Sequence, residues 1–202
     1  MSSRWVFFAL CWLAVVVSGS AVLMIHSQTP GEEGGRSPGR WPASSHIPRR
    51  ADRPTLVMFA HPKCPCTRAS IEELAILMAR CQGLVNARVV FFKPEDAAED
   101  WNETDTWKNA AAIPGVEVQT DKNGSEAATF DAAISGHVVL YDAQGQLLFN
   151  GGITEARGHS GDNEGLTAII DLLHGKTSQP ATPIFGCPIQ EKKPGSLVVK
   201  DS

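Results

Sequence analysis

The chain has 202 residues, of which 43% are hydrophobic and 20% are charged, and its formal net charge is -4 at pH 7. This length and this balance predict one globular domain with a proper core, together with terminal extensions. The small negative charge gives no general basic field, which argues against a nucleic-acid-binding protein.

The N-terminal 25 residues have the character of a membrane segment. An uncharged and mostly apolar stretch runs from Trp5 to Ile25 and is long enough to span a bilayer as one helix. The alternative is a secretory peptide with an apolar core over residues 6–17 and small residues at 18–20 for cleavage, which would give a secreted form. Because the apolar character continues through Ile25, an uncleaved anchor over residues 1–25 is favoured. Either alternative places the remaining chain on the extracytoplasmic, periplasmic side, where disulfides persist.

A segment without apolar periodicity follows, over residues 26–53. It is rich in Gly, Pro, Ser and Arg, a composition typical of a flexible linker between a membrane and a domain. Trp41 and Ile47 are its candidates for contact with the domain, but a solvated linker is the favoured prediction.

The folded domain is predicted over residues 54–175. In chain order its elements are a buried strand at 55–60, an amphipathic helix at 67–81, a strand at 87–92, a helix at 101–113, a short strand at 116–119, a weak helix at 125–132, a hairpin of strands 137–141 and 146–149, and a helix at 164–174. Early strand–helix–strand units need parallel crossovers, whereas the late hairpin is antiparallel. This order predicts an α/β fold of three layers, with a central mixed sheet between helices.

Two cysteines follow the first predicted strand with one residue between them. Residues 61–66 are His-Pro-Lys-Cys-Pro-Cys, at the point where the strand ends and the helix begins. The free N–H groups and the positive dipole end of a helix favour a thiolate, which is the reactive form of cysteine. Cys64 is expected to be exposed at the helix N-terminus, with His61 and Lys63 nearby to favour its thiolate, and is therefore the candidate catalytic nucleophile. Cys66 is then the resolving thiol that attacks a mixed disulfide at Cys64. The one-residue spacer, Pro65, would close a small strained ring, which favours an oxidant or isomerase over a reductant.

Three further cysteines have different predictions. Cys187 lies in the C-terminal tail, residues 176–202, and is a possible third thiol for a relay or else a static staple that pins the tail. Cys81 lies on the apolar face of the first domain helix, which predicts a buried and unreactive side chain. Cys11 is interpreted as a small apolar residue of the membrane segment.

Two histidines and one loop are candidate neighbours of the active site. His137 opens a hairpin strand, and the Gly-rich loop over residues 151–163 contains Arg157 and His159. Such a loop can bind an anion, position a leaving thiol or supply a proton. The alternative is a solvated loop whose glycines and aspartates serve turn geometry.

These motifs resemble a known superfamily. The strand Leu-Val-Met-Phe-Ala at 56–60, followed by Cys64, resembles the first core strand and nucleophilic cysteine of thioredoxin-like proteins over roughly residues 53–175. The pattern His-Pro-x-Cys-Pro-Cys-x-Arg-Ala-Ser, with Phe-Gly-Cys-Pro in the tail, is similar to a membrane-anchored group labelled RedB-type. The resemblance implies a thioredoxin-like fold. It departs from thioredoxin in the one-residue spacer, in His137 at the cis-proline position and in the expanded loop 151–163.

Three functions are compatible with this sequence. The favoured one is an enzyme, an extracytoplasmic thiol–disulfide oxidoreductase without a cofactor, monomeric, whose partners are a protein client and an electron-donor protein, both unidentified. The alternative is a copper(I)-binding chaperone module that uses Cys64, Cys66 and either His137 or His159 as soft ligands. Peroxide reduction comes third, because the Thr-x-x-Cys arrangement of a peroxidatic cysteine is missing from the sequence.

Overall fold

The structure, a computed structural model, describes residues 3–31 and 35–190. Within these residues the elements are α1 (Ser3–Gln28), β1 (Thr55–Ala60), α2 (Pro65–Arg80), β2 (Asn86–Lys93), α3 (Asp105–Ala111), β3 (Val116–Lys122), α4 (Ser125–Thr129), β4 (His137–Tyr141), β5 (Leu147–Gly151) and α5 (Glu164–Leu173).

The described strands form a mixed sheet in the order β3-β2-β1-β4-β5. β1 pairs in parallel with β2, and β2 in parallel with β3, as their helical crossovers require. β4 runs antiparallel to β1, and β5 antiparallel to β4. This order and these directions are those of the thioredoxin-like fold, so the predicted fold class is confirmed.

Alternate residues of β1 supply two separate cores, because successive side chains of a strand point to opposite faces. Leu56 and Met58 pack in a cluster with residues of α2, α3 and α5. Val57 and Phe59 pack in a second cluster with residues of α4. Since β1 is central and all six of its residues are buried, its carboxyl end is a fixed position for the turn that carries the cysteines.

Residues 35–48 cover part of the second face, whereas the sequence predicted a flexible linker there. Ile47 is 3% exposed, and the Trp41 ring meets Phe130 and Tyr141 edge-on at centroid distances of 5.2 Å. The Ser37 hydroxyl donates to the Phe130 carbonyl over 2.7 Å. The physical reason is that α4 is short, so the apolar sheet face needs further cover.

The Trp41 contact gives a stability prediction. Trp41→Ala should lower the free energy of unfolding by about 2 kcal/mol, because a half-buried indole and its two edge contacts are lost. Chemical denaturation of the full-length protein in detergent measures this change. Trp5→Ala, at a position that is 73% exposed on α1, is the matched control and should leave the unfolding midpoint in place. An equal midpoint for Trp41→Ala would show that residues 35–48 do not stabilise the domain.

The predicted N-terminal helix forms as α1. By length and composition it can cross a membrane, a property that an anchor and a secretory signal share. Nothing along α1 is buried against the rest of the described chain, so its apolar side chains are free to contact lipid.

Candidate active site

The turn between β1 and α2 holds Cys64 at the start of a helix. Cys64 is the N-cap residue of α2, with extended backbone angles, and its N–H donates to the His61 carbonyl over 3.1 Å. Pro65 occupies the first helical position, where its missing N–H costs no helical hydrogen bond. The Thr67 hydroxyl also donates to the His61 carbonyl, over 2.9 Å. The Pro-rich sequence therefore fixes the turn and the helix start together.

The C-terminal tail brings Cys187 to this turn. Ser135, just before β4, donates its N–H to the Cys187 carbonyl over 2.8 Å, and its hydroxyl accepts from the His61 N–H over 2.9 Å. The Sγ atoms of Cys64, Cys66 and Cys187 all lie within 4.8 Å of one another. We call these three residues the thiol cluster. All the cysteines of the chain fall within the described residues, and they are free thiols.

The three sulfurs differ in exposure. Cys64 is only 4% exposed and Cys66 8%, whereas Cys187 is half-buried and lies at the surface of the cluster. The sequence predicted that Cys64, at the helix N-terminus, would be the exposed thiol. The tail covers it instead, so the sulfur that a large partner meets first is that of Cys187.

The thiol cluster concentrates negative charge on Cys64. The thiols of Cys66 and, next, Cys187 can donate to its thiolate, which outweighs burial and lowers the pKa of Cys64 to about 4. The same donation, with burial, raises the pKa of Cys66. Burial, with donation to Cys64, raises the pKa of Cys187, and the charge of Arg157 opposes that rise. At neutral pH the cluster therefore holds one thiolate and two thiols.

This charge distribution gives a pH prediction for the reduced protein. Because the pKa of Cys64 is lowered, its thiolate should stabilise the reduced protein above the pKa of an unfolded thiol, and this stabilisation is lost as pH falls through about 4. The ultraviolet absorbance of the thiolate, followed against pH, should show a step near pH 4. Cys66→Ala removes the main donor and should move that step to higher pH. A first step near pH 8, typical of a free thiol, would contradict the shared-charge arrangement.

His61 and Lys63, in the turn that carries Cys64, contact aromatic side chains. The His61 ring stacks on Phe92 at 5.8 Å and meets Trp101 edge-on at 5.7 Å. The Lys63 ammonium lies 4.3 Å from the centroid of the Trp101 ring. The sequence predicted that these two side chains, together with the helix N-terminus, stabilise the thiolate, but the main contributions come from the neighbouring thiols.

His137 lies in the second core, apart from the thiol cluster. It is fully buried, its Nε2 lies 2.6 Å from Asn150 Oδ1, and burial lowers its pKa, so the ring is neutral. Among the described residues, the fold brings together one group of three potential metal ligands, the three cysteines of the thiol cluster. Neither His137 nor His159 belongs to it. The residue that contacts the cysteine turn is Ser135, which sequence reasoning missed. Its place just before strand β4 was the available signal.

Arg157 joins three parts of the chain beside Cys187. Its N–H donates to the Ser27 carbonyl over 2.9 Å and its Nε to the Thr29 carbonyl over 3.1 Å, while its Nη1 donates to the Gly186 carbonyl. The exposed His159 lies next to it, with Nδ1 2.8 Å from the Arg157 carbonyl. The predicted loop thus borders the cluster, and its arginine fixes both the end of α1 and the tail.

A buried carboxylate that sequence reasoning missed shapes this loop. Glu73 of α2 is fully buried and accepts from the Gly161 N–H over 2.6 Å and from Asn163 Nδ2 over 3.2 Å. Asn163 in turn caps α5 by accepting from the Leu166 N–H over 2.7 Å. No sequence pattern indicated this contact, because Glu73 lies on the side of the predicted helix opposite Ile71 and Met78.

Comparison with known proteins extends the description of the fold. No family model and no curated protein matches the chain. A solved structure of a hypothetical protein from Sinorhizobium meliloti is similar, at 21% identity and a TM-score of 0.61, over 77% of this chain and 95% of that one. An uncharacterized conserved protein from Geobacillus kaustophilus matches at 19% identity and a TM-score of 0.55, over 82% and 93%. At these identities the likeness establishes the fold, and the RedB-type assignment stays a prediction.

Proposed function

We propose that the protein is an extracytoplasmic thiol–disulfide oxidoreductase whose working pair is Cys64 and Cys187. The observation that carries this proposal is the thiol cluster itself. A stabilised thiolate at Cys64 lies within 4.8 Å of a more exposed thiol at Cys187. A static staple would need neither the lowered pKa of Cys64 nor a third thiol beside the pair.

The chemistry runs from a disulfide between Cys64 and Cys187. A client thiolate attacks the Cys187 sulfur, the Cys64–Cys187 bond breaks, and Cys64 leaves as a thiolate. A second thiolate of the client then attacks the client sulfur of the mixed disulfide. The client disulfide forms, and Cys187 leaves as a thiolate that takes up a proton. The client loses two electrons and the protein gains them. A partner disulfide accepts these electrons by the same exchange in reverse and restores the Cys64–Cys187 bond.

Each cysteine has a separate role in this scheme. Cys187 is the attacked sulfur because it is the most exposed of the three. Cys64 is the leaving group because a thiol of low pKa leaves fastest. Cys66 is a positioning residue that donates to the Cys64 thiolate. Its own disulfide with Cys64 would enclose only Pro65 and would disturb the first turn of α2.

The direction of transfer follows from the stabilised thiolate. A reduced form that holds a low-pKa thiolate is favoured over the disulfide form, which makes the disulfide an oxidant. We therefore expect a reduction potential well above the roughly −270 mV typical of thioredoxin. Equilibration with glutathione redox buffers measures it.

The cellular setting is also part of the proposal. α1 serves as an uncleaved anchor, with the domain outside the cytoplasm and a protein thiol as client. The exposure of its apolar side chains supports this, and so does Arg4 at its first turn, since positive charge is retained on the cytoplasmic side. The mass of the mature protein from membranes tests it, because cleavage after residue 20 would remove most of α1.

The proposed activity is tested by mixing the oxidised protein with a reduced dithiol peptide. We expect one peptide disulfide to form for each protein disulfide consumed, because the exchange conserves electrons. No transfer at neutral pH, with Cys64 and Cys187 shown to be oxidised at the start, would rule the function out.

Copper(I) binding is a second candidate, favoured by one observation. Three sulfurs within 4.8 Å suit a soft ion that accepts three thiolates, and Cys187 takes the place of the predicted histidine ligand. In a titration of the reduced protein against a competing chelator, this candidate predicts one bound equivalent. It also predicts at least about tenfold weaker binding for Cys187→Ser, while His159→Ala retains the affinity. Equal affinities for the first variant and the unchanged protein would remove Cys187 from the ligand set.

A further inference from the structure

A cavity of about 490 Å³ lies between the thiol cluster and the end of α1. Cys66 and Cys187 line it on one side, and Leu23 and Met24 of α1 line it on the other. Leu23 and Met24 are 71% and 61% exposed, so they are available for contact with another molecule. The helix that can cross a membrane is therefore also a wall of the redox site.

With α1 as the proposed anchor and Arg4 on its cytoplasmic side, helix geometry gives the position of this cavity relative to a bilayer. A hydrocarbon core about 30 Å thick takes up about 20 helical residues. Counted from Arg4, which stays at the cytoplasmic surface, that length ends close to Met24. His26 and Ser27, which also line the cavity, then lie at the level of the lipid headgroups. The cavity opens at the outer surface of the membrane.

Hydrogen bonds of the described residues join the end of α1 directly to the domain. Arg157 holds the carbonyls of Ser27 and Thr29, directly at the end of α1. The Gly31 N–H donates to the Ile184 carbonyl over 2.8 Å, close to Cys187 in the tail. Because the anchor is attached on both sides of the cavity, the thiol cluster cannot move far from the bilayer while these bonds last.

We propose that the client is a membrane protein whose cysteines lie immediately outside one of its transmembrane helices. This inference rests on the proposed function and names the class of its substrate. Such cysteines are already at the height of the cavity, and an apolar flank next to them can contact Leu23 and Met24. A water-soluble protein would have to insert its thiols between the domain and the headgroups.

The height of the site is tested with photo-crosslinking in lipid vesicles. A benzophenone amino acid in place of His159, which lines the cavity, should form adducts with phospholipid. The same group in place of Gln144 is the control, because the hairpin turn lies at the opposite end of β4 from His137 and the cysteine turn. It should form none. Equal lipid adducts at both positions, or adducts at Gln144 alone, would overturn the proposal.

The client class is tested with two transmembrane peptides at equal density in vesicles that hold the oxidised full-length protein. One carries two cysteines about three residues beyond its span. The other carries them beyond about fifteen additional flexible residues, which reach roughly 20 Å on average. We expect the near pair to be oxidised at least about tenfold faster, because it is concentrated at the level of the cavity.

The outcomes of this experiment separate the two proposals. Dithiothreitol, a small soluble dithiol, serves as reference in the same vesicles. Equal or faster oxidation of the far pair, with dithiothreitol oxidised normally, overturns the membrane-surface client and leaves the oxidoreductase function intact. Failure to oxidise dithiothreitol and both peptides overturns the function and the inference together.

Discussion

Replacement of Cys187 by serine is expected to abolish disulfide exchange. Cys187 is the sulfur that a client reaches, and it is the partner that allows Cys64 to leave without strain, so its loss removes both steps. Dithiol oxidation should fall by about 1000-fold or more, to the rate of the uncatalysed reaction. Serine keeps a hydroxyl that can donate to the Cys64 thiolate, so the pH titration of Cys64 should change little.

Cys66→Ser is the matched control for this loss. It replaces a thiol of the same cluster and also keeps a donor to Cys64. It should retain exchange within about tenfold of the unchanged protein, since a hydroxyl preserves the hydrogen bond. If Cys66→Ser abolished exchange while Cys187→Ser retained it, Cys66 would be the working partner, as the sequence alone suggested.

Replacement of Cys64 by serine should trap the client. Without Cys64 the mixed disulfide at Cys187 has no low-pKa thiolate beside it to reverse the attack, and Cys66 is mostly a thiol because its pKa is raised. We expect turnover to fall by about 100-fold or more, because the Cys64–Cys187 disulfide that a client attacks can no longer form. When the reduced variant is mixed with a one-cysteine peptide supplied as its disulfide with thionitrobenzoate, the Cys187 thiolate attacks the peptide sulfur and thionitrobenzoate leaves, so the mixed disulfide should accumulate on Cys187.

Peptide mass spectrometry identifies the cysteine that carries the trapped client. Cys81→Ala is the control, because Cys81 is fully buried in the core formed by α2 and should affect stability rather than exchange. A trapped client on Cys66, or normal turnover of Cys64→Ser, would contradict the assigned roles.

The fold was largely predictable because it depends on local patterns. The continuous apolar run of β1 indicates a strand buried on both faces, and all six residues are indeed buried. The turn residues before Gly145 indicate the hairpin of β4 and β5, which forms with Gly145 at a φ of 80°. The strand–helix junction that holds Cys64 follows from Pro65 at the first helical position.

The thiol cluster was not predictable to the same extent, because distant segments build it. Cys187 reaches Cys64 only through the hydrogen bond from Ser135 and the path of the tail, and no periodicity records such contacts. His137 illustrates the opposite error. Its place in the chain suggested the active-site side, yet its side chain packs between Phe59 and Asn150 in the second core.

The linker shows how composition can mislead. A Gly-, Pro- and Ser-rich segment has few apolar residues, but Trp41 and Ile47 are placed where the sheet face needs cover. Because extended segments bury side chains without regular spacing, no helical or strand period marks them.

The most direct test of the three-thiol site is a disulfide map of the mildly oxidised protein. The oxidised chain is digested without reduction, and the cross-linked peptides are identified by mass spectrometry. The proposed mechanism requires a disulfide between Cys64 and Cys187, with Cys66 remaining a free thiol. A disulfide between Cys64 and Cys66, with Cys187 alkylated as a free thiol, would contradict it.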